Sequence, residues 1–240
     1  MKSLMYVCLV VCCLGFSCDH DYRDDIYRCV EPRGRLVSTE FFLPYFSEIT
    51  LEDNIKVVLR EGPRTVWAEG SANIIDQLDL LVTGNHLVIR TRQCIQYAED
   101  LLLFITVPNL RALNLYGSGI IYSENTLSNH FLDIELLGSG SIDLAVDAVK
   151  VDLSMNGSGL VRLEGTSSKL NLWSNGSGQF QGFGLGVNSA DVVQNGSGDL
   201  YIKVFDILDV EIVGSGVVFF RGFPYIISSI FGSGLLIDSN

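Results

Sequence analysis

The stretch Asn156-Gly157-Ser158-Gly159-Leu160-Val161-Arg162-Leu163 decides the fold, because its glycine core recurs through the second half of the chain. Gly-Ser-Gly occurs seven times: Gly117-Ser118-Gly119, Gly138-Ser139-Gly140, Gly157-Ser158-Gly159, Gly176-Ser177-Gly178, Gly196-Ser197-Gly198, Gly214-Ser215-Gly216 and Gly232-Ser233-Gly234. The intervals are 21, 19, 19, 20, 18 and 18 residues, a spacing that marks a structural repeat. Four residues past the first glycine stand Ile121, Ile142, Val161, Phe180, Leu200, Val218 and Leu236. Four residues before it stand Leu113, Ile134, Leu153, Leu172, Val192 and Val210, with Ser228 the exception. Polar and apolar residues alternate around both positions, as in Asp199-Leu200-Tyr201-Ile202. Alternation of period two gives strands with one buried face. Gly-Ser-Gly then falls at the bend between strands, where glycine supplies the positive φ of a tight corner.

A unit of 18–21 residues cannot bury its apolar face alone, but a stack of such units can. With strands ~4.8 Å apart, the inward side chains form continuous columns. The expected fold is all-β: a parallel β-helix or β-solenoid of about seven rungs with Gly-Ser-Gly corners. The competing reading is a hairpin meander, since Asn156-Gly157, Asn175-Gly176 and Asn195-Gly196 are good type I′ turn pairs. The recurring serine favours the stack, in which hydroxyls of neighbouring corners can line up and bond.

Residues 38–112 hold only 3 of the 24 glycines, Gly62, Gly70 and Gly84, so their repeats are degenerate. Strand-like runs remain at 55–59, 65–68, 87–90 and 103–107, and Gly84-Asn85 marks a turn. No linker separates them from the first Gly-Ser-Gly. This half is expected to add N-terminal coils or a cap to one solenoid domain over 38–240.

The N-terminus carries an address. Leu4 to Phe16 is too short an apolar run to span a bilayer and suits the core of a signal peptide over residues 1–17. Leu14-Gly15-Phe16-Ser17-Cys18 resembles a bacterial lipobox, which would make Cys18 the lipid attachment site and residues 18–37 a polar tether. An ordinary secretory signal is the alternative. Cys29 and Cys94 are then the remaining cysteines of an exported chain, as a disulfide or as two buried thiols. With 16 Lys and Arg against 28 Asp and Glu, the net charge of −12 disfavours nucleic acid as a partner. The expected partners are the membrane, through the lipid, a glycan or protein ligand, and a second copy stacked on the apolar last rung.

The order Phe46-Ser47-Glu48-Ile49, Val57-Val58-Leu59, Ala72-Asn73-Ile74-Ile75, Leu87-Val88-Ile89 and Val107-Pro108-Asn109-Leu110, followed by serial Gly-Ser-Gly, resembles the putative auto-transporter adhesin head domain, or GIN domain. The resemblance covers about residues 38–240. It implies a β-solenoid-like fold in an exported protein of the Gram-negative envelope: an outer-membrane lipoprotein, facing outward or into the periplasm. The chain ends at Asn240 inside the repeats, without the barrel that self-export needs.

Chemistry finds little support. The seven corner serines lack the Gly-x-Ser-x-Gly elbow, and only His86 and His130 follow the tether. The residue after the tripeptide is acidic once in seven, at Asp199, so a calcium roll is not built. Gly182-Phe183-Gly184-Leu185-Gly186 precedes no helix that could hold phosphate. No catalytic residue, metal or cofactor is expected. Glycan cleavage would need clustered carboxylates; Asp143, Asp147 and Asp152, and Asp206, Asp209 and Glu211, come without a histidine and serve better as solvated surface. Binding has more to offer: Tyr122, Tyr201 and Phe219 share one outward register, and Trp173 points outward from another strand. The expectation is a non-catalytic surface or envelope module for adhesion or ligand binding. The alternatives are a polysaccharide-active β-helix and a purely structural envelope protein.

Overall fold

A computed structural model describes residues 29–240; the signal peptide, Cys18 and the acidic start of the tether lie outside them. Seven strands precede the repeats: β1 (Leu36–Glu40), β2 (Glu48–Leu51), β3 (Lys56–Glu61), β4 (Thr65–Ser71), β5 (Leu78–Thr83), β6 (His86–Thr91) and β7 (Leu102–Val107), with one helical turn, α1 (Ala72–Ile75). Ten follow: β8 (Ala112–Leu115), β9 (Ile120–Ser123), β10 (Leu127–Gly138), β11 (Ser141–Gly157), β12 (Leu160–Ser174), β13 (Gln179–Gln194), β14 (Asp199–Ile212), β15 (Val217–Arg221), β16 (Tyr225–Ile230) and β17 (Leu235–Asp238).

The repeats wind as a β-solenoid of about seven turns. Every contact between successive repeats is parallel, which removes the hairpin meander. The residues four past the glycine stack in register: Ile121, Ile142, Val161, Phe180, Leu200, Val218 and Leu236. The first six are fully buried. The column before the corner runs Leu113, Ile134, Leu153, Leu172, Val192 and Val210, also buried, and ends at the exposed Ser228. Each buried member contributes roughly 1.5–3 kcal/mol of transfer free energy before ordering costs. A second bend interrupts the long strands where two successive residues face outward, as at Val149-Lys150 and Ser168-Lys169. Each coil therefore has one side after Gly-Ser-Gly and another before the next.

The corners hold for a different reason than positive φ. Among the corner glycines only Gly138 and Gly232 lie in that region, at φ +140° and +137°. The others are required by close stacking. Ser158 N–H donates to the Gly138 carbonyl at 3.0 Å, Ser177 N–H to Gly157 at 3.0 Å and Ser197 N–H to Gly176 at 2.9 Å. A Cβ on Gly157, Gly176 or Gly196 would run into that same carbonyl of the coil below. The second glycines are as tight: a Cβ on Gly140 would stand 2.5 Å from the Gly119 oxygen. The hydroxyl column does not form either. All seven corner serines are exposed, and no hydrogen bond joins their side chains among the described residues. The preceding asparagines make the ladder instead: Asn175 Nδ2 donates to Asn156 Oδ1 at 2.9 Å and Asn195 Nδ2 to Asn175 Oδ1 at 2.8 Å.

The N-terminal half contributes both coils and a cap, but its coils are out of sequence order. β2 lies between β6 and β8, and β3 lies between β7 and β9, all parallel. The coil made later in the chain, β6 with β7, is therefore the outer one. The detour through β4, α1 and β5 makes this exchange and covers the outer edge: β4 runs antiparallel to β7 and β1, and β5 to β6. Trp67 stacks on Phe104 across that seam, with centroids 4.7 Å apart. Covering an edge in this way blocks pairing with other chains. Gly84, at φ +64°, makes the β5–β6 turn that the sequence marks.

Cys29 and Cys94 form a disulfide, with Cα atoms 4.6 Å apart, and Val30 bridges Ile95 beside it. With β1 starting at Leu36, ordered structure reaches into residues that the sequence reading gave to the tether. The disulfide closes a loop with a sequence separation of 65 residues. Removing it as a Cys29→Ser, Cys94→Ser pair is expected to lower stability by about 2–4 kcal/mol in urea titrations. An unchanged midpoint would show that the clasp adds nothing.

Candidate functional site

The side of the coil after Gly-Ser-Gly carries one outward column in register: Tyr122, Asp143, Arg162, Gln181, Tyr201 and Phe219. Its regularity breaks at β13. Toward β14 the residues between Gly182 and Gly186 have no partner, and toward β12 the register slips between Gln181 and Gly184, so it shifts on both sides. This bulge is the Gly-Phe-Gly-Leu-Gly run. Leu185 takes the inward place, 1% exposed, and Phe183 is turned out. A Cβ on Gly182 would meet the Tyr201 carbonyl at 2.8 Å, so only glycine fits at the start of the bulge.

The bulge assembles an aromatic shelf. Phe183 meets Tyr201 edge-on, with centroids 5.3 Å apart, and Tyr201 stacks on Phe219 at 4.8 Å and 6°. The Arg221 guanidinium lies 4.1 Å from the Phe183 centroid. Tyr201 and Phe183 line a slot of about 370 Å³ together with Arg162, Glu164, Gln179 and Gln181. That size falls within the range of small-ligand pockets. The polar part of the lining is set by its own hydrogen bonds. Arg162 Nε and Nη2 donate to Gln181 Oε1 at 3.0 and 2.7 Å, and Gln181 Nε2 donates to Gln179 Oε1 at 2.7 Å. Arg162 Nη1 also donates to Asp143 Oδ2 at 3.4 Å. This relay fixes the rotamers and leaves the Gln179 amide donors and further Arg162 N–H groups for a ligand. The lining thus sets aromatic rings beside a run of donors and acceptors.

Of the four aromatics marked from sequence, Tyr201 and Phe219 come together here. Tyr122 stands four coils away in the same column, ~19 Å at strand spacing. Trp173, 42% exposed, is on the other side of the coil between Ser154 and Val193. Arg162 and Gln181 were open to discovery, because they share the register five past the glycine with Tyr201. Phe183 was not, because an irregular bulge leaves no periodic trace.

Elsewhere the chemistry is structural. His86 Nε2 lies 2.7 Å from Oγ1 of the buried Thr50, and His130 is exposed on β10. Asp152 is held by Lys150 at 2.8 Å and by Asn171 at 2.6 Å. The Asp133 carboxyl is pushed above the usual carboxylate range, first by burial and then by Asp152 and Glu135, against the pull of Lys150. Among the described residues no group of three or more His, Cys, Asp or Glu side chains could hold a metal ion.

A capped β-solenoid with an aromatic-lined slot on its outer face is the class of protein that the fold and its surface define. Within it, this chain belongs to the family described as putative auto-transporter adhesin, head GIN domain, whose model matches residues 45–224. Solved structures share the fold. A putative adhesin of Bacteroides fragilis is 23% identical with a TM-score of 0.81, over 88% of this chain and 100% of its own. A putative adhesin of Parabacteroides distasonis is 20% identical with a TM-score of 0.68, over 88% and 100%. A putative lipid binding protein of the same organism is 20% identical with a TM-score of 0.70, over 89% and 100%. No curated protein matches the chain.

Proposed function

We propose that the chain is a non-catalytic adhesion module, lipid-anchored through Cys18 at the bacterial surface or envelope, that binds a glycan in the slot beside Tyr201. Family membership supports the adhesion role and an exported or surface placement. The observation that carries the ligand class is the slot's mixed lining, aromatic rings beside a hydrogen-bonded polar relay. A pyranose presents an apolar face of C–H groups and a rim of hydroxyls; Tyr201, backed by Phe219, fits the first, and the Arg162–Gln181–Gln179 relay fits the second. The test is a glycan array followed by calorimetry on the mature chain. Tyr201→Ala and Gln181→Ala should each weaken binding by about tenfold or more, and Trp173→Ala should leave it unchanged. Wild-type affinity in Tyr201→Ala would overturn the assignment.

A glycan-cleaving reading has one observation in its favour, the raised carboxyl of Asp133 beside Asp152. Its sign would be shortening of the bound glycan, seen by mass spectrometry and lost in Asp133→Asn. Recovery of intact glycan after long incubation supports binding without turnover.

A further inference from the structure

The cations of the repeat region are unevenly neutralised. Lys150 and Lys169 are paired with Asp152 at 2.8 Å and Asp191 at 2.7 Å, on the side of the coil away from the slot. Arg162 leans on Asp143 at 3.4 Å. Lys203 and Arg221 are direct cross-strand neighbours in β14 and β15, and among the described residues neither has a carboxylate within 4.0 Å. Two like charges facing each other across a ladder repel and gain nothing from the fold. Yet Arg221 is held in place. Arg221 lies against Phe183 and donates through Nε to the Ser239 carbonyl at 3.1 Å, and Lys203 Nζ lies 5.6 Å from the Phe205 centroid. Two cations without a carboxylate partner, one of them against Phe183 of the slot, in a chain whose net charge is −12, call for an anion from outside.

We infer that the slot recognises an acidic saccharide, with a sugar ring against Tyr201 and its carboxylate or sulfate group bound by Arg221 and Lys203. This rests on the glycan reading above and gives it a chemical class and a direction. Contacts lead without a gap from Tyr201 through Phe183 to Arg221, at 5.3 and 4.1 Å, so one short oligosaccharide reaches both ends. The opposite end holds Glu164, which repels an anion and accepts from hydroxyls. At that end Arg162 is already paired with Asp143 and Gln181, so the charged group points toward β15. The Arg221 guanidinium suits this role because among the described residues only its Nε is hydrogen-bonded, which leaves Nη1 and Nη2 to bind carboxylate or sulfate oxygens in a fork.

The experiment compares three oligosaccharides of matched length on the full mature chain by calorimetry: a uronate-containing one, a sulfated one and a neutral one. The wild type should bind one of the acidic pair about tenfold or more tightly than the neutral one, and which of the two it prefers identifies the anion. Arg221→Gln with Lys203→Gln should abolish that preference. Lys150→Gln with Lys169→Gln should keep the preference, which separates local recognition from net charge. Equal affinity for acidic and neutral forms, still lost in Tyr201→Ala, would overturn this inference and leave the glycan slot standing. Binding of none of the three, or binding untouched by Tyr201→Ala, would remove both.

Discussion

Gly196→Ala lowers the unfolding free energy by about 2–3 kcal/mol or more, whereas Ser197→Ala changes it by no more than about 0.5 kcal/mol. The contrast follows from the corner geometry. The Gly176 carbonyl accepts from Ser197 N–H at 2.9 Å, and the Gly196 Cα passes directly over the same oxygen. A methyl group there cannot be accommodated by a rotamer change, because the obstacle is backbone. The corner must lift, which weakens the Ser197 and Ser215 amide bonds above and below, at 2.9 and 3.1 Å. The serine hydroxyl touches solvent and its loss disturbs nothing. Urea denaturation followed by circular dichroism measures both variants. If Ser197→Ala proved as costly as Gly196→Ala, the hydroxyl would have a role that the exposed corner does not show.

That pair of variants also marks where sequence reading reached its limit. The interior columns were fully legible, because burial on one face of a strand leaves a period-two trace, and Ile142, Val161 and Leu200 all point inward as that trace requires. The need for glycine was legible too, but not its cause: positive φ and close stacking both forbid a side chain, and only the stacked carbonyl tells them apart. The serine misleads, because recurrence need not mean bonding. The bonding falls two residues earlier, on Asn156, Asn175 and Asn195, in three corners only. The exchanged order of the first two coils left no mark at all, since a strand's pattern says which face is buried and not which strand lies beside it. Phe183 escaped for the complementary reason. It faces out only because Gly182 and Gly184 let the chain depart from the repeat.

The largest single loss is expected from Phe180→Ala, about 3–5 kcal/mol, because it removes the largest side chain of its column from a fully buried position. Val161 and Leu200 stack directly below and above it, and neither can extend to fill the space. Leu236→Ala, in the same column but at the partly exposed last coil, should cost about 1 kcal/mol or less. The Phe180 variant has a second, functional consequence. The Phe180 ring lies over Gly182, so it forms the floor on which the bulge rests. Without that floor the bulge can sink inward, and Phe183 loses its edge contact with Tyr201. Glycan affinity should therefore fall along with stability, at temperatures where the chain is still folded. Phe180→Leu separates the two effects: it refills most of the column but not the ring contact with Gly182, so it should recover most of the stability and less of the binding. Binding restored in full by Phe180→Leu would mean that the bulge holds its shape through its own glycines, without support from the core.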